Sequence, residues 1–392
     1  MSGFLAFVMN HRGKGTTKIL LGSDGGQGSL KITCNLVEEE GATRSGRYLD
    51  SSVKRAFILF FGEEIPETYF NIATIRMELK LNTIENLIET NDLKMDNHIC
   101  GMQGGSSTYP CVYCLAKRIL KNGVIEWEKG RLRTLGMLKQ HAAAFAKHLE
   151  KVRAKNPHLT EEKQLKKAKT DAKDFFNVIN PPLLNGSDSD LVLLLLPPPE
   201  FHIFEGCVNK IVTVLNDVWS QLASVEDRFF IWLEKNQIYR LKYKGEGLNG
   251  PACSKLLEKL TLLEDDPEFP QTLKPFTFAL HAYNRVRYSC FSNQLIEGYG
   301  DRIKEFKRSL NHLRDAKGKP INIINKMHIL FEHVEDFCIL TNRGLGYYSE
   351  QAKEAIHHDF KSTQSLYTTK QDKASYGDRM TGAVVKYNSK NL

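Results

Sequence analysis

The sequence predicts an α/β protein with a strand-rich first part, a long and mostly helical middle part and one last strong helix. Apolar runs and period-two alternation, which are typical of strands, are concentrated in residues 1–103. From residue 104 onward, apolar residues recur mainly at helical spacing. The hydrophobic content of 41% is enough for ordinary packed cores, so a globular protein is expected.

Three strands are expected at the start of the chain. Residues 18–23 form an apolar run that ends on Asp24 and is followed by glycines, as in a strand with a tight turn. Alternation over residues 30–36 predicts a second strand, and the continuous apolar run 56–61 predicts a third. Apolar residues at helical spacing and a short strand then lead into Asp92, which gives the order β, β, β, α, β.

The block from about residue 104 to residue 320 is mostly helical by the same criteria. Residues 131–153 are rich in Ala, Leu, Lys and His, and residues 161–174 continue as a highly charged helix. We find no internal repeat and no long low-complexity tract, which disfavours solenoid and disordered folds. The last strong helix begins near Ser349 and contains no helix breaker as far as residue 360.

Charge and cysteine content narrow the function classes. A formal net charge of +8 favours an anionic partner, although this excess is small for 392 residues. A secretory signal and an apolar run long enough to span a membrane are both absent, so no membrane association is expected. Of the eight cysteines, only Cys111 and Cys114 have a spacing with chemical meaning. Reduced thiols in an intracellular compartment are therefore expected.

Three acids have placements that suit metal-dependent phosphodiester chemistry. Asp24 ends a central strand, Asp92 directly follows a neighbouring strand, and Glu354 lies on the last helix. Carboxylates that converge from such positions can hold one or two divalent ions around a reacting phosphate. Taken singly, however, an Asp at a strand end more often serves the turn itself.

Two separated pairs of residues are candidate zinc ligands. Cys111 and Cys114 form a Cys-x2-Cys pair, which is half of a tetrahedral site. His328 and His333 offer a second pair, and all four together would make a structural Cys2His2 site. Five positions on a straight helix point well apart, so both histidines can bind one ion only where the segment bends or unwinds. Ordinary core or surface histidines are the alternative.

Other metal and nucleotide sites fit the sequence less well. Glu350, Glu354 and His358 share one helix face, but a di-iron carboxylate bundle needs two Glu-x-x-His motifs and only one is present. The glycines after Asp24 lack the Lys-Ser or Lys-Thr of a Walker loop, which disfavours a nucleoside triphosphate site.

Set together, these motifs resemble the Transib family of transposases and the related catalytic subunit of the V(D)J recombinase. The resemblance covers most of the chain, and the order and spacing of the motifs make it specific. The matching pieces, in chain order, are Ser23-Asp24-Gly25, Asp92 with Cys111-Val112-Tyr113-Cys114 beginning nineteen residues later, His328 and His333, and Ser349-Glu350-Gln351-Ala352-Lys353-Glu354-Ala355.

The resemblance implies a DDE transposase with a ribonuclease H-like core that is split by a mainly helical, zinc-binding insertion. The core would begin in residues 1–103, the insertion would occupy 104–340, and 341–392 would hold the last catalytic helix and the tail. The implied metal-binding acids are Asp24, Asp92 and Glu354, which would hold Mg²⁺ or Mn²⁺. The implied zinc ligands are Cys111, Cys114, His328 and His333.

The implied activity is nicking and strand transfer on double-stranded DNA by a nuclear homodimer. Basic residues of the insertion, among them Arg131, Arg133 and Lys139, would neutralise DNA phosphates. Only 23 residues precede Asp24, so the amino-terminal DNA-binding region of the relatives is not expected, and a truncated or domesticated copy is an alternative.

Three questions stay open at the sequence level. Asp96 competes with Asp92 as the second acid, since its distance of fifteen residues to Cys111 also resembles spacings in the family. A catalytically inactive descendant that serves as a DNA-binding or scaffold protein is the main alternative function. An unrelated zinc-stabilised helical protein, with acids that are merely structural, is the third hypothesis.

Overall fold

The computed structural model describes most of the chain. The described residues are 17–25, 28–38, 56–84, 87–241, 247–349, 351–367 and 373–390, without the side chains of 17, 38, 351–354 and 357–358. Its contacts divide the chain into two compact units. The sheet unit comprises Met1–Lys117, Lys129–Pro199 and Tyr348–Leu392, and the helical unit comprises Arg118–Glu128 and Glu200–Tyr347.

A four-stranded mixed sheet forms the centre of the sheet unit. Its strands are β1 (Thr17–Asp24), β2 (Ser29–Glu38), β3 (Phe57–Glu63) and β4 (Leu87–Glu89), arranged in the order β3-β2-β1-β4. Strand β1 runs antiparallel to β2 and parallel to β4. Helix α1 (Tyr69–Glu78) lies between β3 and β4 in the chain, so the predicted order β, β, β, α, β is confirmed.

The apolar pattern of the strands explains this sheet. Leu20 and Leu21 of β1 are both completely buried, although their side chains point to opposite faces. A strand that is covered on both faces is expected to show a continuous apolar run, as β1 does. The Thr68 side chain accepts a hydrogen bond from the backbone N–H of Asn71 and caps the start of α1.

The remaining helices follow β4, and an antiparallel β-hairpin of strands β5 (Arg118–Lys121) and β6 (Val124–Trp127) lies between the first and the second of them. In chain order they are α2 (Leu93–Ile99), α3 (Leu135–Lys155), α4 (Glu161–Lys169), α5 (Val192–Leu195), α6 (Glu200–Ala223), α7 (Arg228–Lys235), α8 (Gly250–Glu258), α9 (Leu260–Glu264), α10 (Lys274–Cys290), α11 (Tyr299–Leu310), α12 (Asn325–Ile329), α13 (Glu335–Thr341), α14 (Gln351–Gln364) and α15 (Tyr376–Lys390).

The β5–β6 hairpin lies in a region for which the sequence pattern predicted mostly helix. Its turn residues, Asn122 and Gly123, have φ angles of 54° and 80°. Positive φ at both central residues is the geometry of a type I′ turn, which Asn-Gly strongly favours. The expectation of helix was wrong here, because the Asn-Gly pair is a local turn signal within a mostly helical pattern.

Helices α14 and α15 pack against the sheet, although they lie almost three hundred residues after it in the chain. Ile356 and Phe360 of α14 belong to one buried apolar cluster with Ile58 of β3 and with Ala56, which directly precedes β3. Asn388 of α15 both donates to and accepts from the Ile58 backbone, at 2.8 and 2.9 Å. The last helices therefore belong to the sheet unit.

The described helices agree with the predicted α/β class. The contacts group residues 129–199 with the sheet unit, and the boundaries expected at residues 103 and 340 stay predictions. In the described part of the chain, no helix has both the length and the apolar composition needed to cross a membrane.

Candidate functional site

Asp24 and Asp92 lie at corresponding ends of two adjacent parallel strands. The last registered pair between β1 and β4 is Leu21 with Glu89. Asp24 lies three residues after Leu21, and Asp92 lies three residues after Glu89. Beyond the pair, the N–H of Ser23 donates to the Asn91 side chain at 2.7 Å. The pairing therefore brings the two carboxylates to the same edge of the sheet.

A third acid, Glu67, which the sequence analysis did not select, joins these aspartates. Burial raises the pKa of Glu67, and the charges of Asp92 and Asp24 raise it further, against a hydrogen bond from Lys94 that lowers it. The Glu67–Lys94 ion pair measures 2.6 Å. A Cβ atom at Gly25 would lie 2.5 Å from the Glu67 carboxylate, so only glycine fits beside Asp24 here.

Lys31 supplies a second cation next to Asp24. It is the cross-strand partner of Asp24 in the β1–β2 register, and its side chain is only 4% exposed. Burial lowers the pKa of Lys31 to about 8, even though the charges of Asp24 and Glu63 raise it. The carboxylate cluster, defined as Asp24, Glu67 and Asp92, is thus partly neutralised by Lys31 and Lys94.

Asp92 and Asp96 have different environments. Asp92 is partly exposed and caps helix α2, since its Oδ1 accepts a hydrogen bond from the N–H of Met95 at 2.6 Å. Its second carboxylate oxygen can serve a metal ion. Asp96 is completely buried within α2. A buried carboxylate cannot meet a DNA phosphate without opening the core, which favours Asp92 as the second acid.

Glu354 lies in the first turn of α14, but its side chain lies outside the described part of the structure, as does Glu350. The position of α14 is nevertheless informative. The Phe360 ring packs edge-on against Phe61 of β3 with a centroid distance of 5.1 Å. The helix that carries Glu354 is therefore anchored on the same sheet that carries Asp24.

Cys111 and Cys114 lie in a compact loop that is organised by Arg133. Both cysteines are buried, and the guanidinium Nε of Arg133 donates to both of their carbonyl oxygens, at 3.1 and 3.0 Å. Burial raises the pKa of the Cys111 thiol well above its usual value, and the neighbouring Cys114 raises it further. Thiols held in this way are suitable zinc ligands once a cation displaces their protons.

The position of Arg133 corrects an expectation from the sequence. Arg133 is completely buried and also donates to the Phe176 carbonyl at 3.1 Å, so it serves the loop and cannot contact DNA. Lys139 is half-exposed and pairs with Asp188 at 2.7 Å, whereas Arg131 is exposed. A role in phosphate binding stays a prediction for Arg131 and Lys139.

His328 and His333 lie on either side of a change in helix type. Between α12 and α13, Leu330–Val334 forms a π-helical turn. Because the hydrogen bonds of a π-helix span positions i and i+5, this wider turn brings the two histidines closer to one side than a regular α-helix would. The two rings lie 5.3 Å apart, centroid to centroid. The unwinding that the five-residue spacing required is therefore present.

Trp127 of β6 supports the histidine pair. Its indole stacks on the His328 ring at 4.1 Å with an interplanar angle of 9°, and its N–H donates to the Ile323 carbonyl at 2.8 Å. A stacked and hydrogen-bonded indole fixes the orientation of the imidazole. The role of Trp127 cannot be predicted from local sequence, because it lies some two hundred residues before His328 in the chain.

The four predicted zinc ligands form one cluster. One ligand atom from each of Cys111, Cys114, His328 and His333 lies within 4.8 Å of the others, and all four residues are buried. Ligand atoms around one tetrahedral zinc ion are roughly 3.3–3.8 Å apart, so a small adjustment gives zinc geometry. This Cys/His cluster can bind zinc.

Comparison of the chain with protein-family models and with curated proteins found no match in either. The family resemblance therefore rests on the order and spacing of the motifs alone.

Proposed function

We propose that this chain is the catalytic core of a DDE-class DNA transposase or recombinase, which nicks DNA and transfers strands with divalent metal at Asp24, Asp92 and Glu354. The observation that carries the proposal is the convergence of Asp24 and Asp92 at one edge of a β3-β2-β1-β4 sheet. That strand order, with β1 antiparallel to β2 and parallel to β4, supports a ribonuclease H-like core.

Oxygen ligands suit Mg²⁺ or Mn²⁺, and the carboxylate cluster supplies only oxygen ligands. When bound, the metal would polarise the scissile phosphate and lower the pKa of the attacking water. Asp24 and Asp92 would bind the metal ion at the edge of the sheet, and Glu354 of α14 would complete the set of ligands. Water and then the freed 3′ hydroxyl of DNA are the nucleophiles, so no covalent protein intermediate is required.

The proposal assigns zinc a structural role. Four protein ligands would fill the tetrahedral coordination of an ion in the Cys/His cluster. No position would be left for a reacting water or phosphate. Cleavage would therefore depend on the carboxylate cluster.

Nicking of supercoiled plasmid DNA in Mg²⁺ or Mn²⁺ tests the proposal. The wild-type chain should convert the plasmid to open circles, and Asp24→Asn and Glu354→Gln should not, although they fold normally. Asp301→Asn, which changes an exposed aspartate in the first turn of α11, outside the cluster, is the matched control. Undiminished nicking by Asp24→Asn, or no nicking by the wild-type chain, would show that the chain is not such an enzyme.

A further inference from the structure

Strand β4 is short, so its registered pairing with β1 ends before the two aspartates of the carboxylate cluster. On its other side β1 stays paired with β2 as far as Asp24, but its last registered pair with β4 is Leu21 with Glu89. One more backbone bond follows, in which the N–H of Thr90 donates to the Leu21 carbonyl at 2.7 Å. Beyond it, the end of β1 depends on other contacts on the β4 side.

The Asn91 side chain supplies the next bond between these two segments. Its Oδ1 accepts the N–H of Ser23 at 2.7 Å, where a continued parallel ladder would use a backbone carbonyl. Both residues are buried, so water competes little for the bond. Ser23 directly precedes Asp24, and Asn91 directly precedes Asp92. This one bond therefore joins the immediate neighbours of the two acids.

The same region contains polar atoms that the fold leaves unsatisfied. Nδ2 of Asn91, Oγ of Ser23 and Oε1 of Glu67 are buried and have no hydrogen-bond partner among the described residues. Buried polar groups are normally hydrogen-bonded, so such a group requires an explanation. These atoms belong to the carboxylate cluster or to the residues that directly precede its aspartates. Their distribution indicates that this edge of the sheet is organised for binding as well as for folding.

We propose that Asn91 is a positioning residue for the divalent metal, whose side chain fixes the separation of Asp24 and Asp92 by holding Ser23. This inference rests on the proposed function, since it treats both aspartates as ligands of one metal site. Without the bond to Asn91, the end of β1 and the segment after β4 would move independently. Metal affinity would then fall, because part of the binding free energy would go into ordering the two carboxylates.

Two buried asparagines provide a matched pair of variants. Asn91→Leu nearly keeps the shape of the side chain but cannot accept the Ser23 N–H. Asn97 is also buried, and its side chain donates to the Leu93 carbonyl within α2 at 2.6 Å. Asn97→Leu therefore removes a buried amide that does not join the two strands. Asn91→Asp keeps an oxygen acceptor and is the conservative variant.

The first measurement is hydrogen exchange of the Ser23 amide in the full chain without Mg²⁺ or Mn²⁺. Asn91→Leu should speed this exchange about tenfold or more, whereas Asn91→Asp and Asn97→Leu should exchange like the wild type. Exchange as fast in Asn91→Asp as in Asn91→Leu would overturn the role of the oxygen acceptor. Where leucine does not pack at this position, Asn91→Ala removes the same acceptor and carries the same expectations.

The second measurement is the affinity for Mn²⁺ by isothermal titration calorimetry. Asn91→Leu should raise the Kd about tenfold, as is typical when a residue that orients metal ligands is lost, and Asn97→Leu should leave it unchanged. Asn91→Asp should bind at least as tightly as the wild type, because its added negative charge attracts the cation. Equal Mn²⁺ affinity in Asn91→Leu and Asn97→Leu would overturn the proposal.

Plasmid nicking separates this inference from the proposed function. Asn91→Leu should need about ten times more Mn²⁺ for half-maximal nicking and regain most of the rate at saturating Mn²⁺, which a loss of folding would not allow. If the wild type nicks no DNA but Asn91→Leu still weakens Mn²⁺ binding, the catalytic function is wrong and the positioning role stands. If the wild type nicks as proposed and Asn91→Leu binds Mn²⁺ normally, only the positioning role is wrong.

Discussion

The carboxylate cluster and the Cys/His cluster differ in both chemistry and access. The carboxylates are hard oxygen ligands at a sheet edge, and Asp24 and Asp92 are partly exposed. The Cys/His cluster offers sulfur and nitrogen ligands, each at most 4% exposed. An open oxygen site can admit a phosphate with its metal, whereas a closed site with four protein ligands cannot. On the proposed function, the chain keeps a metal site that can react with DNA separate from a metal site that only stabilises the fold.

The largest expected effect is the loss of plasmid nicking when the second acid is replaced, and it distinguishes Asp92 from Asp96. Asn caps a helix about as well as Asp, so Asp92→Asn should keep α2 and remove only the charge. We expect roughly 100-fold or greater loss of plasmid nicking, with unchanged circular dichroism. Asp96→Asn alters a completely buried group and should mainly lower the melting temperature. If the folded Asp96→Asn variant loses nicking while Asp92→Asn keeps it, the assignment must be reversed.

Removal of one zinc ligand should change stability and metal content together. Cys111→Ser or His328→Ala should reduce bound zinc from one equivalent to almost none and lower the melting temperature by roughly 5–10 °C, because metal binding is coupled to folding. Cys253→Ser, at a buried cysteine outside the cluster, is the control for metal content. Full zinc content in both ligand variants would exclude the site.

A smaller effect is expected from the residue that stacks on the zinc ligand. Trp127→Ala removes the indole from His328, so zinc affinity should fall about tenfold, as measured by competition with a chelator. Trp127→Phe retains a flat ring and should lose less. If the two variants lose zinc equally, the stacking does not orient His328, and the hydrogen bond to Ile323 is the more important contact.

The smallest effect concerns pH at the carboxylate cluster. The pKa of Lys31 is lowered to about 8, so its positive charge beside Asp24 is present below that pH and lost above it. Because a neighbouring cation opposes metal binding, Mn²⁺ affinity should rise a few-fold as pH increases from 7 to 9. Lys31→Met should bind Mn²⁺ more tightly at pH 7 and show a flatter pH profile. An equally steep profile in that variant would assign the pH dependence to another group.

The sequence was most informative where local patterns decide the structure. Strand β1 and its terminal Asp24 follow from one apolar run and a turn, and the Cys-x2-Cys spacing identified half of the Cys/His cluster. The spacing of His328 and His333 even required a distortion, which the π-helical turn provides. Each of these features depends on a few neighbouring residues.

The features that the sequence analysis missed depend on tertiary packing. Glu67 follows a proline in an ordinary loop, and only the fold brings it to Asp24 and Asp92. Arg133 belongs to a basic segment that resembles a DNA-contacting surface, but its side chain is completely buried against the cysteine loop. Composition alone cannot distinguish a buried guanidinium with carbonyl partners from an exposed one.

Anomalous diffraction at the manganese edge, from crystals soaked in manganese chloride, tests the central claim that the carboxylate cluster holds the divalent metal. We expect a peak within about 2.1–2.3 Å of carboxylate oxygens of both Asp24 and Asp92, with Glu354 as a further ligand. Manganese bound elsewhere, with no peak between Asp24 and Asp92 at saturating concentration, would contradict the account.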